Sequence, residues 1–213
     1  MKEGCRVRQT YEETETLKLH ILEKAKEVFC REGYEKAKMQ DIAEAAQVSR
    51  GPLYYHYANK LELFNKVLDS ICEERLAFAQ ETFGRNDISF LEKIRFNFEF
   101  CVSKELLSFD SLSINLIGSK DPQFLYAQQR LAENLTSLYD VKYAAAMEAK
   151  ACGELREDTD ISSMLGILFS AYGIFAQRRL QSSVQYFNKG IEIVSDQELL
   201  DFLIRSFQRE FFY

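Results

Sequence analysis

Residues 38 to 60 bring together side chains that can bind a nucleic acid. Arg50 can donate two hydrogen bonds to the edge of a guanine, and Gly51 allows the backbone to approach bases or phosphates closely. The rings of Tyr54 and Tyr55 can contact thymine methyl groups, and their hydroxyls can donate to phosphates. Lys60 is the strongest candidate for a phosphate contact that fixes register. The residues expected at this DNA surface are Lys38, Gln40, Ser49, Arg50, Gly51, Pro52, Tyr54, Tyr55, His56 and Lys60.

Two short helices joined by a tight turn would position these side chains. Apolar residues recur at helical spacing from Met39 to Ala46, which predicts a helix of about two turns. Residues 47–49 supply a turn, and Ser49 is a suitable N-cap for a second helix that reaches Tyr57. Such a pair, at about residues 39 to 57, is a helix-turn-helix, in which the first helix braces the second against the DNA major groove.

The second helix is predicted to have an inward and an outward face. Leu53 and Tyr57 lie four residues apart, so both are expected to pack against the first helix. The stripes that start at Arg50 and Gly51 then face outward, toward DNA.

The remaining pattern is helical throughout. A helix is expected over residues 14–33, with Gly33 at its C-terminal end and with either Thr10 or Thr14 as its N-cap. A linking helix is expected over residues 60–83. Further helices are expected at about 88–107, 110–118, 122–151, 160–181 and 196–211.

Composition supports an all-α fold and does not exclude DNA. The 213 residues include only two prolines and nine glycines, too few for the turns of an all-β fold. The net charge is -6, but residues 1–60 carry 11 Lys and Arg against 10 Asp and Glu, whereas residues 61–213 carry 16 against 23. The acidity therefore lies outside the predicted DNA-binding segment.

Several classes of protein are disfavoured by the sequence. The five cysteines are scattered and odd in number, which fits reduced thiols and a cytoplasmic location. No signal peptide or membrane span is expected. No metal or cofactor is expected, and no nucleophile with a nearby base or phosphate loop suggests an enzyme.

The segment GYEKAKMQDIAEAAQVSRGPLYYHYANKLELF closely resembles the DNA-binding segment of the tetracycline-repressor (TetR) family. Its specific elements include Gly33-Tyr34, Asp41-Ile42-Ala43, Val48-Ser49 and the run from Gly51 to Lys60. The resemblance implies a three-helix helix-turn-helix domain at residues 1–60. It also implies that the linking helix joins this domain to a helical effector-binding and dimerisation domain at residues 61–213.

Three residues depart from the family pattern. Lys38 stands where the family has Thr or Ser, so a hydroxyl cap is lost and a positive charge is gained. Gln47 replaces the usual glycine after the paired small residues, and it must adopt whatever backbone conformation the turn imposes. Pro52 replaces a Thr, Ser or Ala, so one possible hydroxyl contact to DNA is lost.

In the second part of the chain, the resemblance is limited to the segment at residues 153–160, which is similar to the junction that precedes the family's dimerisation helices. By that analogy, the helices at 160–181 and 196–211 pair across a two-fold axis. The expected interface residues are Leu165, Leu168, Leu199 and Phe202. Aromatic residues could line an apolar effector cavity. Those expected there are Phe96, Phe100, Phe109, Phe124, Tyr139, Tyr143, Phe169 and Tyr172.

Carboxylates in the helices of the second part leave a different effector class open. Glu99, Asp110, Glu133 and Glu148 could bind a cationic ligand, although solvated faces are the commoner place for such residues.

The sequence thus predicts a homodimeric regulator, bound to an inverted-repeat operator in double-stranded DNA and acting as a repressor that an unknown small-molecule effector releases. The alternative is a DNA-binding organiser or co-regulator whose second part binds a protein partner. An exposed apolar patch would favour the partner, and a closed aromatic cavity would favour the ligand.

Overall fold

The computed structural model describes residues 2–102, 119–181 and 195–213, and the regular elements in these ranges are helical. The elements are α1 (Lys2–Lys36), α2 (Met39–Ala45), α3 (Arg50–His56), α4 (Lys60–Phe83), α5 (Phe90–Cys101), a short 3-10 helix (Pro122–Phe124), α6 (Leu125–Ala151), α7 (Ile161–Gln181) and α8 (Asp196–Phe211). The all-α prediction is confirmed. The helix predicted at 110–118 lies outside the described residues.

Helix α1 is longer than the sequence pattern predicted. It begins at Lys2, so neither Thr10 nor Thr14 marks its start, and the predicted N-terminal boundary is wrong. At its other end, Gly33 interrupts the helix with φ 79° and ψ 163°. Only glycine adopts this region of backbone space at low cost, which explains its place at the end of the regular helix.

Local side-chain caps set the starts of three later helices. The Asn59 side chain accepts a hydrogen bond from the Glu62 N–H at the start of α4 (2.9 Å). Ser89 and Glu92 form a reciprocal capping box at α5, and Ser195 forms another with a glutamate at α8. Because the cap lies at Ser89 and the helix ends at Cys101, α5 is shorter than the predicted 88–107.

Two hydrophobic clusters form the core, and α4 and α6 contribute to both. The first joins α1, α2 and α3 to the N-terminal half of α4 and to Phe124, Ala127 and Leu131. The second joins the C-terminal part of α4 to α5, α6, α7 and α8. Helix α4 therefore connects the helix-turn-helix to the rest of the chain. A domain division at residue 60 stays a prediction.

None of the helices that the structure describes is both long and apolar enough to cross a lipid bilayer.

Candidate nucleic-acid interface and internal cavity

Helix α3 is held by its inward face, as the spacing predicted. Leu53 and Tyr57 are buried in the first cluster together with Ile42 and Ala46 of the bracing segment. The Tyr57 hydroxyl donates a hydrogen bond to the Lys18 carbonyl of α1 (3.2 Å). Burial raises the pKa of Tyr57 to about 12. Helix α3 is thereby fixed to both α1 and α2.

The turn between α2 and α3 requires a left-handed residue, and that residue is Gln47. Its φ is 55°, a conformation that a side chain with a Cβ adopts at a cost of about 1 kcal/mol or more. The turn is closed by the Val48 N–H, which donates to the Ala43 carbonyl (3.0 Å). His20 of α1 adds a hydrogen bond from Nε2 to the Ala46 carbonyl (3.1 Å). The departure at Gln47 is thus a strained position.

The outward face of α3 is open. Tyr55 is 80% exposed and Tyr54 is 49% exposed, which is unusual for large aromatic side chains. A Cβ added at Gly51 would meet no atom within 4 Å, so a second molecule can approach its backbone. Arg50 donates through Nη2 to Oε1 of Gln40, and this bond links the exposed faces of α3 and α2. The arrangement presents donors and rings together on one surface.

The other predicted contact residues differ in exposure. Lys38 and Ser49 are exposed, whereas Pro52 and His56 are half-buried. The Lys38 N–H donates to the Asp41 carboxylate (3.1 Å), which is the half of a capping box that does not require a hydroxyl at residue 38. Ser49 occupies the N-cap position of α3 as predicted, but its hydroxyl does not cap the helix. For all of these residues, DNA contact stays a prediction.

Lys60 has a structural environment that the sequence did not suggest. Its ammonium donates to the carbonyls of Tyr34 (2.8 Å), Ala37 (3.2 Å) and Glu35 (3.3 Å). It also lies over the ring of Tyr34, 4.4 Å from the centroid. These carbonyls follow the break at Gly33, where the backbone no longer supplies N–H donors to them as a regular helix would. The geometry favours a tie between α4 and the end of α1 over the predicted phosphate contact.

A cavity lies within the second part of the chain, between α4, α5, α6 and α7. The empty space among its lining residues is about 490 Å³, counted with its mouth open to solvent. The lining is mostly apolar and includes three polar or charged side chains, Arg75, Asn97 and Lys142. The other lining residues are Ile94, Phe98, Cys101, Leu135, Leu138, Leu168, Phe169 and Tyr172.

Of the eight aromatic residues predicted for a cavity, Phe169 and Tyr172 line this one. Phe124 instead packs in the first cluster against Tyr34, and Phe96 is exposed. Three others pack elsewhere: Phe100 stacks on Phe78, whereas Tyr139 and Tyr143 stack on each other. Phe109 lies outside the described residues. An aromatic residue in an amphipathic helix does not reveal which of several clusters it joins.

The residues predicted for the dimer interface also differ in how exposed they are. Leu165 and Leu168 are buried within their own chain, and Leu168 lines the cavity, so this burial disfavours their predicted place in a dimer contact. Leu199 packs at the margin of the second cluster. Phe202 is 60% exposed and remains available.

Sequence reasoning missed the polar side chains of the cavity. Arg75 and Lys142 are buried, and the signal was a charged residue placed on an otherwise apolar helical stripe. Lys142 follows Leu138 by four residues and precedes Ala145 by three, so it occupies a core position of α6. Glu99, Glu133 and Glu148, by contrast, are exposed and do not line the cavity. Asp110 lies outside the described residues.

Sequence comparisons match the first part of the chain. The profile of the family described as "Bacterial regulatory proteins, tetR family" matches residues 21–67. The transcriptional regulator TtgR of Pseudomonas putida is 41% identical over 78 residues, which cover 36% of this chain and 37% of TtgR. The alignment therefore spans well under half of that curated relative.

Solved structures resemble the chain over most of its length. A TetR-family regulator from Agrobacterium tumefaciens has a TM-score of 0.72 and 16% identity, with 94% of this chain and 100% of that chain covered. The regulator FadR from Bacillus subtilis, solved in complex with stearoyl-CoA, has a TM-score of 0.62 and 18% identity, with 88% and 94% covered. At this identity the likeness shows the fold.

Proposed function

We propose that this chain is a transcriptional repressor of the TetR family, which binds operator DNA as a homodimer and is released by a small molecule. The profile match over residues 21–67 supports the family assignment. The observation that carries the proposal is the outward face of α3. Arg50, Tyr54 and Tyr55 are exposed there, on a helix whose opposite face is fixed to α1 and α2. Exposed rings beside an arginine are the composition that a major-groove surface needs.

The predicted operator contact can be tested with one substitution and a matched control. Arg50→Ala should weaken binding to a selected operator by about 1–3 kcal/mol and relax base preference at one position of each half-site. Arg31→Ala removes an exposed arginine from α1 and should leave both quantities unchanged. Binding is measured by fluorescence anisotropy on selected and random DNA. An equal loss of affinity for selected and random DNA would refute a base-specific contact by Arg50.

Dimerisation is supported by apolar side chains left exposed on the last helices. Phe202 of α8 and Ile167 of α7 are 60% and 50% exposed. Family regulators bind operators as dimers, and a two-fold axis would let two α3 helices enter major grooves separated by about 34–36 Å or a multiple of this distance. We propose this face as the dimer contact, in place of the buried Leu165 and Leu168.

Release by a ligand is supported by the position of the cavity. Arg75 of α4 is part of the cavity wall, and the same helix begins at Lys60 beside α3. A ligand that prefers a different position of α4 would change the spacing of the two recognition helices. Linkage requires that such a ligand and the operator weaken each other by the same factor. Calorimetric titration of each in the presence of the other measures both factors, and a factor of one in both titrations would exclude this coupling.

A further inference from the structure

The cavity contains a buried lysine in an apolar setting. Lys142 is only 7% exposed, and it lines the cavity together with leucine and isoleucine side chains. Its ammonium lies over the face of the Phe169 ring, 4.6 Å from the centroid. Within the described parts of the chain, no carboxylate lines the cavity and no ion pair includes Lys142.

This position is costly for a cation. Desolvation by burial lowers the pKa of Lys142; the charge of Cys101 acts against this shift, and the positive charge of Arg75 acts in the same direction as burial. A methionine or leucine at residue 142 would fill the same stripe of α6 without this cost. The lysine therefore does not serve the packing of the core.

The neighbouring groups suit an anionic group better than a neutral one. Asn97 is buried in the cavity wall and carries an amide that can donate a hydrogen bond. The Tyr172 hydroxyl is directed elsewhere, since it accepts from Arg75 and donates to the Cys101 carbonyl. An anion beside Lys142 would restore the charge balance that burial removes. The rest of the wall is apolar and suits a hydrocarbon or aryl group.

We propose that the cavity binds an amphiphilic organic anion, whose carboxylate or equivalent group pairs with the Lys142 ammonium while its apolar part lies against Ile94, Leu135 and Leu138. This assignment rests on the proposed function, because it names the chemical class of the releasing ligand. The ring of Phe169 holds the ammonium from one side, so the anion approaches from the other.

The first test compares carboxylates with their uncharged amides. Octanoate with octanamide, and benzoate with benzamide, are titrated calorimetrically into the full chain. Each carboxylate should bind about tenfold or more tightly than its amide, because a charge-assisted hydrogen bond is replaced by a neutral one. Lys142→Met should abolish this preference. Lys150→Met, a substitution two turns further along α6 and outside the cavity, should retain it.

The second test uses the unaltered chain and varies pH. Lys142 loses its proton below the ordinary lysine pKa of 10.5, so octanoate affinity should fall as pH rises from neutral toward that value. Octanamide affinity should stay constant. A bound anion favours the charged lysine, so octanoate binding should also take up protons in this pH range.

The outcomes separate this proposal from the proposed function. Equal affinity for acid and amide, no binding of either carboxylate, or a preference that survives Lys142→Met would overturn the anion assignment. The same protein preparation is titrated with selected DNA. Operator binding without carboxylate binding would leave the proposed DNA function standing, whereas carboxylate binding without any selectable DNA would overturn that function alone.

Discussion

Lys60→Met tests whether this lysine is a structural tie or a phosphate contact. The substitution removes three hydrogen bonds to carbonyls at the end of α1 and the contact with the Tyr34 ring. The hydrogen bonds from the single Lys60 ammonium to these carbonyls together stabilise the fold by about 2 kcal/mol, and the contact with the Tyr34 ring adds about 0.5–1 kcal/mol. The free energy of unfolding should fall by about 2–3 kcal/mol. For a chain of this size the melting temperature should then drop by about 5–10 °C.

Circular dichroism melts measure the stability, and anisotropy titrations over a range of salt measure the DNA contact. Lys66→Met is the matched control, because Lys66 lies on the same helix and makes one exposed ion pair with Asp69, worth under about 1 kcal/mol. The salt dependence of DNA affinity should be the same for Lys60→Met and the unaltered chain. An unchanged melting temperature with a salt slope reduced by about 1 would refute the structural reasoning and support the phosphate contact.

Two further substitutions test other features. Gln47→Gly should raise the free energy of unfolding, measured by urea titration, by up to about 1 kcal/mol, because glycine adopts the positive φ of 55° without a Cβ clash. Gln47→Ala keeps the Cβ and should be near neutral in the same titration. A loss of stability in the glycine variant would contradict the inferred backbone strain. Phe202→Glu should convert the proposed dimer to a monomer in sedimentation equilibrium, because it would bury an unpaired charge in the interface. Leu125→Glu changes another exposed apolar site and should leave the dimer intact. A Phe202→Glu chain that stays dimeric would exclude this part of α8 from the interface.

The helix-turn-helix was predictable because local spacing determines it. Leu53 and Tyr57 lie one turn apart, and the structure buries both, while Tyr54 and Tyr55 remain exposed. Gln47 was identified as the residue that would bear the turn's backbone strain, and its φ is positive. The burial pattern of α3 needs only the periodicity of a helix, whereas the inference at Gln47 came from the family resemblance, which has a glycine at that position.

The long-range contacts were not predictable in the same way. Lys60 was assigned by its charge, but its partners are carbonyls 23 to 26 residues earlier, which become available only because α1 breaks at Gly33. Leu165 and Leu168 show the same limit, since an apolar stripe has the same sequence signature whether its own chain or a second copy covers it. Which partner covers a face depends on tertiary packing.

The contact between Tyr34 and Phe124 limits how the helix-turn-helix can move. Their ring centroids are 5.1 Å apart and nearly perpendicular, so α1 contacts the short 3-10 helix that precedes α6 in addition to its connection through α4. From Lys60 to Arg75, α4 spans about 22 Å, and a tilt of about 5° at that radius displaces its end by about 2 Å. Direct hydrogen bonds to bases tolerate much less than this. In the proposed release by a ligand, a small tilt of α4 at the cavity would thus be enough to move α3 out of register on DNA.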